Sequence, residues 1–222
     1  EAIRGVLDSG GVIAGTSAGA AVMSRVMFRD APDLLGAMKG TLRSGREVDR
    51  GLGFAAPGLF VDQHFLRRGR LGRMLPLLQS QGVGLGIGVE ENSAAILRGR
   101  ALEVVGNGGV LVVDLVDARS NTAAGAFSVS GVRLTYLGDG DRMDLDTRAV
   151  IPSAAKRQGS RIDPRARDFQ PSLEDTPFLL DVLGKVASGG FHVTADRVAA
   201  VDAVVAGWQP AETAPASPGA SE

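Results

Sequence analysis

Gly11-Val-Ile-Ala-Gly15-Thr-Ser17-Ala-Gly19-Ala-Ala-Val-Met-Ser24 is the stretch whose reading decides the fold. Gly11 to Ala14 is a short apolar run that predicts a buried strand, and Ala18 to Val26 is rich in Ala, Val and Met and predicts a helix. Between them Gly15-Thr16-Ser17-Ala18-Gly19 forms a G-x-S-x-G. A strand that reverses sharply into a helix imposes strained backbone angles on the serine and needs small neighbours for the close approach of the two elements. Ser17 is then expected at the strand's carboxyl end with its hydroxyl exposed. The helix start lies behind it, and the Ala18 N–H is placed to receive an oxyanion. The plain alternative is a packing contact between small residues, since a five-residue pattern of this kind recurs by chance.

The chain has 222 residues, of which 44% are hydrophobic, enough for one substantial core and too few for two. Residues 1–208 are expected to form a single domain, and the Pro, Ala and Ser of 209–222 a disordered tail. With 24 Lys+Arg against 25 Asp+Glu, no global field steers the protein toward nucleic acid or an anionic membrane surface. No run of about eighteen apolar residues spans a membrane. The sequence holds no cysteine, which removes thiol nucleophiles, disulfides and thiolate metal sites. It holds two histidines, His64 and His192, so a serine hydrolase built here would draw its base from that pair. Glu1 to Gly10 reads as the end of an amphipathic helix without an initiator Met or a signal-peptide pattern, so the first strands of a doubly wound sheet are expected to lie outside this sequence.

Arg29 to Arg50 is polar and irregular and reads as a mobile surface loop. Gly58 to Val61 predicts a strand that delivers Asp62-Gln63-His64-Phe65 at its end, where open α/β sheets gather ligands. Leu66 to Gln81 predicts a helix with Leu71, Met74, Leu75 and Leu78 on its buried face. Arg67, Arg68, Arg70 and Arg73 crowd its first turns, where cations oppose the helix dipole. That placement suits carboxylate binding, with a solvated basic face as the alternative. Gly82 to Val89 alternates glycine with aliphatics and predicts a central strand approached closely by other backbone. It lacks the spacing of a dinucleotide fingerprint and ends in Glu90-Glu91, one of which must face the sheet's active edge. From Ala94 the pattern turns to β, with Asn107-Gly108 as the expected hairpin turn. Asp139, Asp141 and Asp144 lack the glycine and terminal glutamate of a calcium loop. Phe178 to Val186 and Thr194 to Trp208 predict two closing helices. The fold class expected is thus α/β, an open and mostly parallel sheet with flanking helices and a hairpin-rich C-terminal part.

Ser17 in Gly-Thr-Ser-Ala-Gly-Ala, His64 in Asp-Gln-His-Phe followed by Arg68, Arg70 and Arg73, and Gly86-Ile-Gly-Val-Glu-Glu91 together resemble the cyanophycinase family, from about Gly11 to about Leu145. This is a group of serine peptidases related to dipeptidase E, with a class I glutamine amidotransferase-like fold. The resemblance implies Ser17 as nucleophile, His64 as general base and Glu91 as the acid that orients it. It places Asp62, Gln63, Arg68, Arg70 and Arg73 around the substrate. The substrate implied is cyanophycin, an aspartate backbone bearing arginines, cut to β-Asp-Arg. No cofactor, metal, nucleic acid or membrane partner is expected, the location expected is cytoplasmic, and a homodimer is an open assembly state. Glu90 stands where the family more often has Asp, and the family's N-terminal strands have no counterpart in this sequence. Two other classes stay open. An α/β-hydrolase esterase shares the elbow but needs His192 as base, and a non-catalytic amidotransferase-like module would keep the fold without the triad geometry.

Overall fold

The computed structural model describes residues 2–30, 33–121 and 126–159. The expected closing helices, the tail and His192 lie outside the described residues. Along the chain come α1 (Ala2–Asp8), α2 (Ala18–Ala21), β1 (Val26–Phe28), α3 (Leu34–Met38), β2 (Val48–Arg50) and β3 (Leu59–Gln63). Then follow α4 (Leu71–Ser80), β4 (Leu85–Val89), β5 (Ser93–Arg98), β6 (Ala101–Gly106), β7 (Val110–Asp114) and β8 (Arg119–Ser120). The last are β9 (Val129–Ser130), β10 (Arg133–Leu137), β11 (Arg142–Asp144), β12 (Val150–Ile151) and α5 (Ala154–Gln158).

The sheet that carries the candidate site has the order β10-β7-β4-β3. β3 and β4 are parallel, with Val61 opposite Ile87, whereas β7 is antiparallel to β4 and β10 antiparallel to β7. The sheet is mixed, which corrects the mostly parallel arrangement expected. Parallel neighbours need a crossover element, and α4 supplies one between β3 and β4, while β4 reaches β7 through a hairpin that belongs to another sheet. That second sheet, β12-β11-β6-β5, is antiparallel throughout.

Strand alternation sorts the core into two faces. Phe60, Leu111 and Val113 pack with Met74, Leu75, Leu77 and Leu78 of α4, as the helix periodicity predicted for Met74, Leu75 and Leu78. Leu59, Val61, Leu85, Ile87, Val110 and Val112 pack instead with Leu102 and Val104 of β6 and with Met143. The result is three layers: helix, mixed sheet, antiparallel sheet. Gly86 and Gly88 fall on the α4 face of β4, and their lack of a side chain is used. A Cβ on Gly86 would stand 2.7 Å from Met74 Sδ, and one on Gly88 would stand 2.1 Å from the Phe65 ring. The close approach at Gly86 and Gly88 therefore comes from the side chains of Met74 and Phe65, not from backbone.

Other expectations are corrected by where hydrogen bonds can form. Gly11 to Ala14 pairs with no described strand, and Val12 is 86% exposed, so the apolar run is an extended segment and not a buried strand. The helix after Ser17 ends at Ala21, and Val26 already belongs to β1, which pairs with β2. Residues 33–50 are no loose loop. They contain α3 and β2 and enclose Glu47, which is 1% exposed. Hydrogen bonds from the Arg43 guanidinium hold the Glu47 carboxyl down at about 2, against the usual 4.5. Asn107-Gly108 links two sheets, not two strands of a hairpin. The tight hairpin is β5-β6, whose two-residue loop Gly99-Arg100 has φ +61° at Gly99, as a type II′ turn requires.

Candidate active site

β3 and β4 end side by side, so the residues just beyond them share one edge of the sheet. His64 follows β3 and Glu90-Glu91 follow β4. Ser17 reaches the same edge from the turn before α2. The Ser17 hydroxyl donates to His64 Nε2 at 3.0 Å, and His64 Nδ1–H donates to Glu91 Oε1 at 2.8 Å. A carboxylate only accepts, so the Glu91 bond fixes the proton on Nδ1 and leaves Nε2 as an acceptor facing the serine. The line is open to solvent at its acid end, where the Glu91 side chain is 42% exposed against 25% for His64.

Both Ser17 and His64 have positive φ, 51° and 45°. For residues with a Cβ such backbone costs about 1–3 kcal/mol each, and it persists where the surroundings over-determine it. At Ser17 the constraint is Gly15, where a Cβ would lie 2.1 Å from the Gly19 carbonyl oxygen. Gly19 itself faces open space, so of the two glycines in the pattern the first is the one that packing demands. The Ser24 hydroxyl accepts the Val61 N–H at 2.7 Å and ties the serine segment to β3. Ser24 closes the motif in sequence, yet nothing in the spacing announces this bond. At His64 the constraint is the turn after it: the Arg68 N–H returns to the His64 carbonyl and the Arg70 N–H to that of Phe65. Phe65 is fully buried over Gly88. The Ala18 N–H stands beside Ser17 with no acceptor among the described residues. Because α2 has four residues, the helix-dipole contribution expected there is small.

The remaining candidates sort differently from expectation. α4 begins at Leu71, so Arg67, Arg68 and Arg70 lie in the turn ahead of it. Asp62, 1% exposed, receives Arg73 through Nε and Nη2 at 2.7–2.9 Å and Arg70 at 3.2 Å. Arg70 also donates to the Gln63 carbonyl at 2.6 Å, and the Arg73 guanidinium lies 4.4 Å from the centre of the Phe28 ring. Burial lowers the Arg70 pKa, Arg73 and Arg68 push the same way, and Asp62 opposes them. Asp62, Arg70 and Arg73 are therefore paired with one another beneath the site. A carboxylate on β3 and cations one helical turn apart on the adjoining segment satisfy each other first. Arg68 is exposed and has no ion-pair partner among the described residues. Gln63 Oε1 is buried without a hydrogen-bond partner among the described residues. Asp62→Asn is expected to lower folding stability by about 3 kcal/mol or more, since removing one partner strands two nearly buried guanidinium groups. Urea denaturation of the full-length protein measures this, and an unchanged midpoint would show that water already screens the cluster.

A three-layer α/β protein with a serine, an imidazole and a carboxylate joined in one hydrogen-bonded line at a sheet edge is the class that fold and site define. No protein-family model matches the chain. It is 36% identical over 147 residues to the cyanophycinases of Trichormus variabilis and of a Nostoc species, a match covering 64% of this chain and 48% of each relative. It is 36% identical over 156 residues to that of Geminocystis herdmanii, covering 66% of this chain and 55% of the relative. These matches support a likeness to the cyanophycinase family over about 65% of the chain. It spans about half the length of the curated relatives it matches. No described helix is long and apolar enough to cross a membrane.

Proposed function

We propose that the protein is a serine-type peptidase that hydrolyses cyanophycin, the β-Asp-Arg polymer, or related isoaspartyl peptides. The observation that carries the proposal is the continuous line Ser17 Oγ, His64 Nε2, His64 Nδ1, Glu91 Oε1, with links of 3.0 and 2.8 Å. In this reading His64 Nε2 takes the Ser17 proton as Oγ attacks the scissile carbonyl, and the carbonyl electron pair moves onto oxygen beside the Ala18 N–H. Collapse of that intermediate breaks the C–N bond, and His64 returns the proton to the leaving amine. Water repeats the cycle on the acyl-enzyme and frees Ser17. Glu91 stays ionised and holds the imidazolium that forms in each half. The described residues act as one hydrolytic domain with an amidotransferase-like sheet. Arg68 is a cation left over for a substrate carboxylate.

The test uses the full-length protein with three substrates: β-Asp-Arg polymer, the same backbone carrying citrulline in place of arginine, and a β-linked leucine peptide. A charge-assisted contact contributes about 1.5–3 kcal/mol, so loss of the guanidinium should lower kcat/KM roughly ten- to a hundredfold. Equal rates on all three would withdraw the polymer and leave a general serine peptidase.

A further inference from the structure

We propose that Glu90, which the reaction itself does not use, is a positioning residue that holds His64 in register with Ser17 and Glu91. The proposal rests on the Ser17–His64–Glu91 reading. Glu90 Oε2 accepts the N–H groups of Leu66 at 2.5 Å and Arg67 at 2.9 Å, and its Oε1 accepts the N–H of Glu91 at 2.7 Å. Neither the Leu66 nor the Arg67 N–H has another acceptor among the described residues. The contacts close a small ring: from His64 along the chain to Leu66, across to the Glu90 carboxylate, along the chain to Glu91, and back through the Glu91 carboxylate to His64 Nδ1. Both sides of the imidazole are therefore referred to the same end of β4. One glutamate grips the ring, the other grips the backbone that carries it.

The ring supplies what the backbone at His64 needs. Its φ of +45° persists only if the following residues cannot relax. Phe65 is locked by its N–H to the Val89 carbonyl and by its seat over Gly88, and Glu90 extends the lock across the next two residues. The 90–91 corner is fixed in turn from the far side. The Glu90 N–H donates to the Gly109 carbonyl, and a Cβ on Gly108 would stand 2.1 Å from the Glu91 carbonyl oxygen and 3.0 Å from Glu90 Cγ. A carboxylate can serve all three N–H groups because both its oxygens accept. An amide cannot, since one of its ends donates. Glu90→Gln therefore turns an amino group toward either the turn or the Glu91 N–H, and one side of the ring opens.

A displacement of about 1 Å at a catalytic group lowers rate about a hundredfold. In the full-length protein Glu90→Gln is expected to lower kcat about ten- to a hundredfold with KM changed less than about twofold, and to slow labelling of Ser17 by a fluorophosphonate by the same factor. Rates are expressed per active site titrated, so a partly unfolded preparation still gives the value for folded molecules. Glu90→Asp keeps both acceptor oxygens on a shorter stem and is expected to recover part of the rate. An unchanged kcat per site in Glu90→Gln, or a change confined to KM, would overturn the positioning role. So would Glu90→Asp no better than Glu90→Gln. Ser17→Ala separates the two levels: if it stays active the serine-peptidase reading itself falls, whereas an inactive Ser17→Ala beside a normal Glu90→Gln removes only the role of Glu90.

Discussion

Ser17→Ala in the full-length protein should lower kcat by about 10⁶, His64→Ala by a similar factor, and the double variant by no more than either alone. Non-additivity is the informative part. When the hydroxyl is the nucleophile and the imidazole its base, removal of one leaves the other without a task, and the residual rate comes from substrate binding and oxyanion contacts alone. On the proposed reading, the 3.0 Å Ser17–His64 contact joins the two residues as such a unit. His192→Ala is the matched control and should retain full activity. Hydrolysis of the β-Asp-Arg polymer, read alongside fluorophosphonate labelling that localises to Ser17, checks the set. Collapse on loss of His192, with His64→Ala still active, would move the protein to the esterase order Ser, acid, His.

What the sequence disclosed and what it withheld follow from the range of the forces involved. Local chemistry was legible: Asp62-Gln63-His64 at the end of an apolar run, and paired glutamates at the end of another, are polar residues at strand ends, and the parallel β3-β4 pair brings both ends to one edge. The amphipathic stripe of α4 was legible for the same reason, since Met74, Leu75 and Leu78 recur at helical spacing and are buried. Long-range pairing was not. Gly11 to Ala14 has the composition of a strand, but strand structure exists only with a partner, and composition says nothing of who that partner is. Asn107-Gly108 has the turn chemistry of a hairpin, yet its flanking strands lie in different sheets because β7 finds β4 and β10. Hydrophobic runs of similar length leave such a choice open. The partners of the arginine cluster were not legible either. Counting cations near a helix start suggested a vacant anion site, whereas the structure brings Arg70 and Arg73 onto a buried carboxylate eight and eleven residues earlier.

Glu91→Gln should reduce kcat about 10³- to 10⁴-fold, while KM changes little. The adjacent carboxylates make this a sharp test, because neighbouring residues differ in side-chain direction and the structure gives them different partners. Glu91 Oε1 meets the imidazole, whereas both oxygens of Glu90 are occupied by backbone N–H groups. Loss of the Glu91 charge removes the acceptor that holds the proton on Nδ1. An imidazole with that proton on Nε2 cannot accept from Ser17, and the imidazolium formed during attack loses its counter-charge. Solvent at the partly exposed Glu91 side chain screens part of that charge, which sets the expectation at or below the value known for a fully buried triad acid. Glu90→Gln, which loosens the turn and leaves the acceptor in place, should cost roughly a hundredfold at most. A larger loss from Glu90→Gln than from Glu91→Gln, measured per titrated site, would exchange the two roles and leave the exposed carboxylate without a part in the reaction.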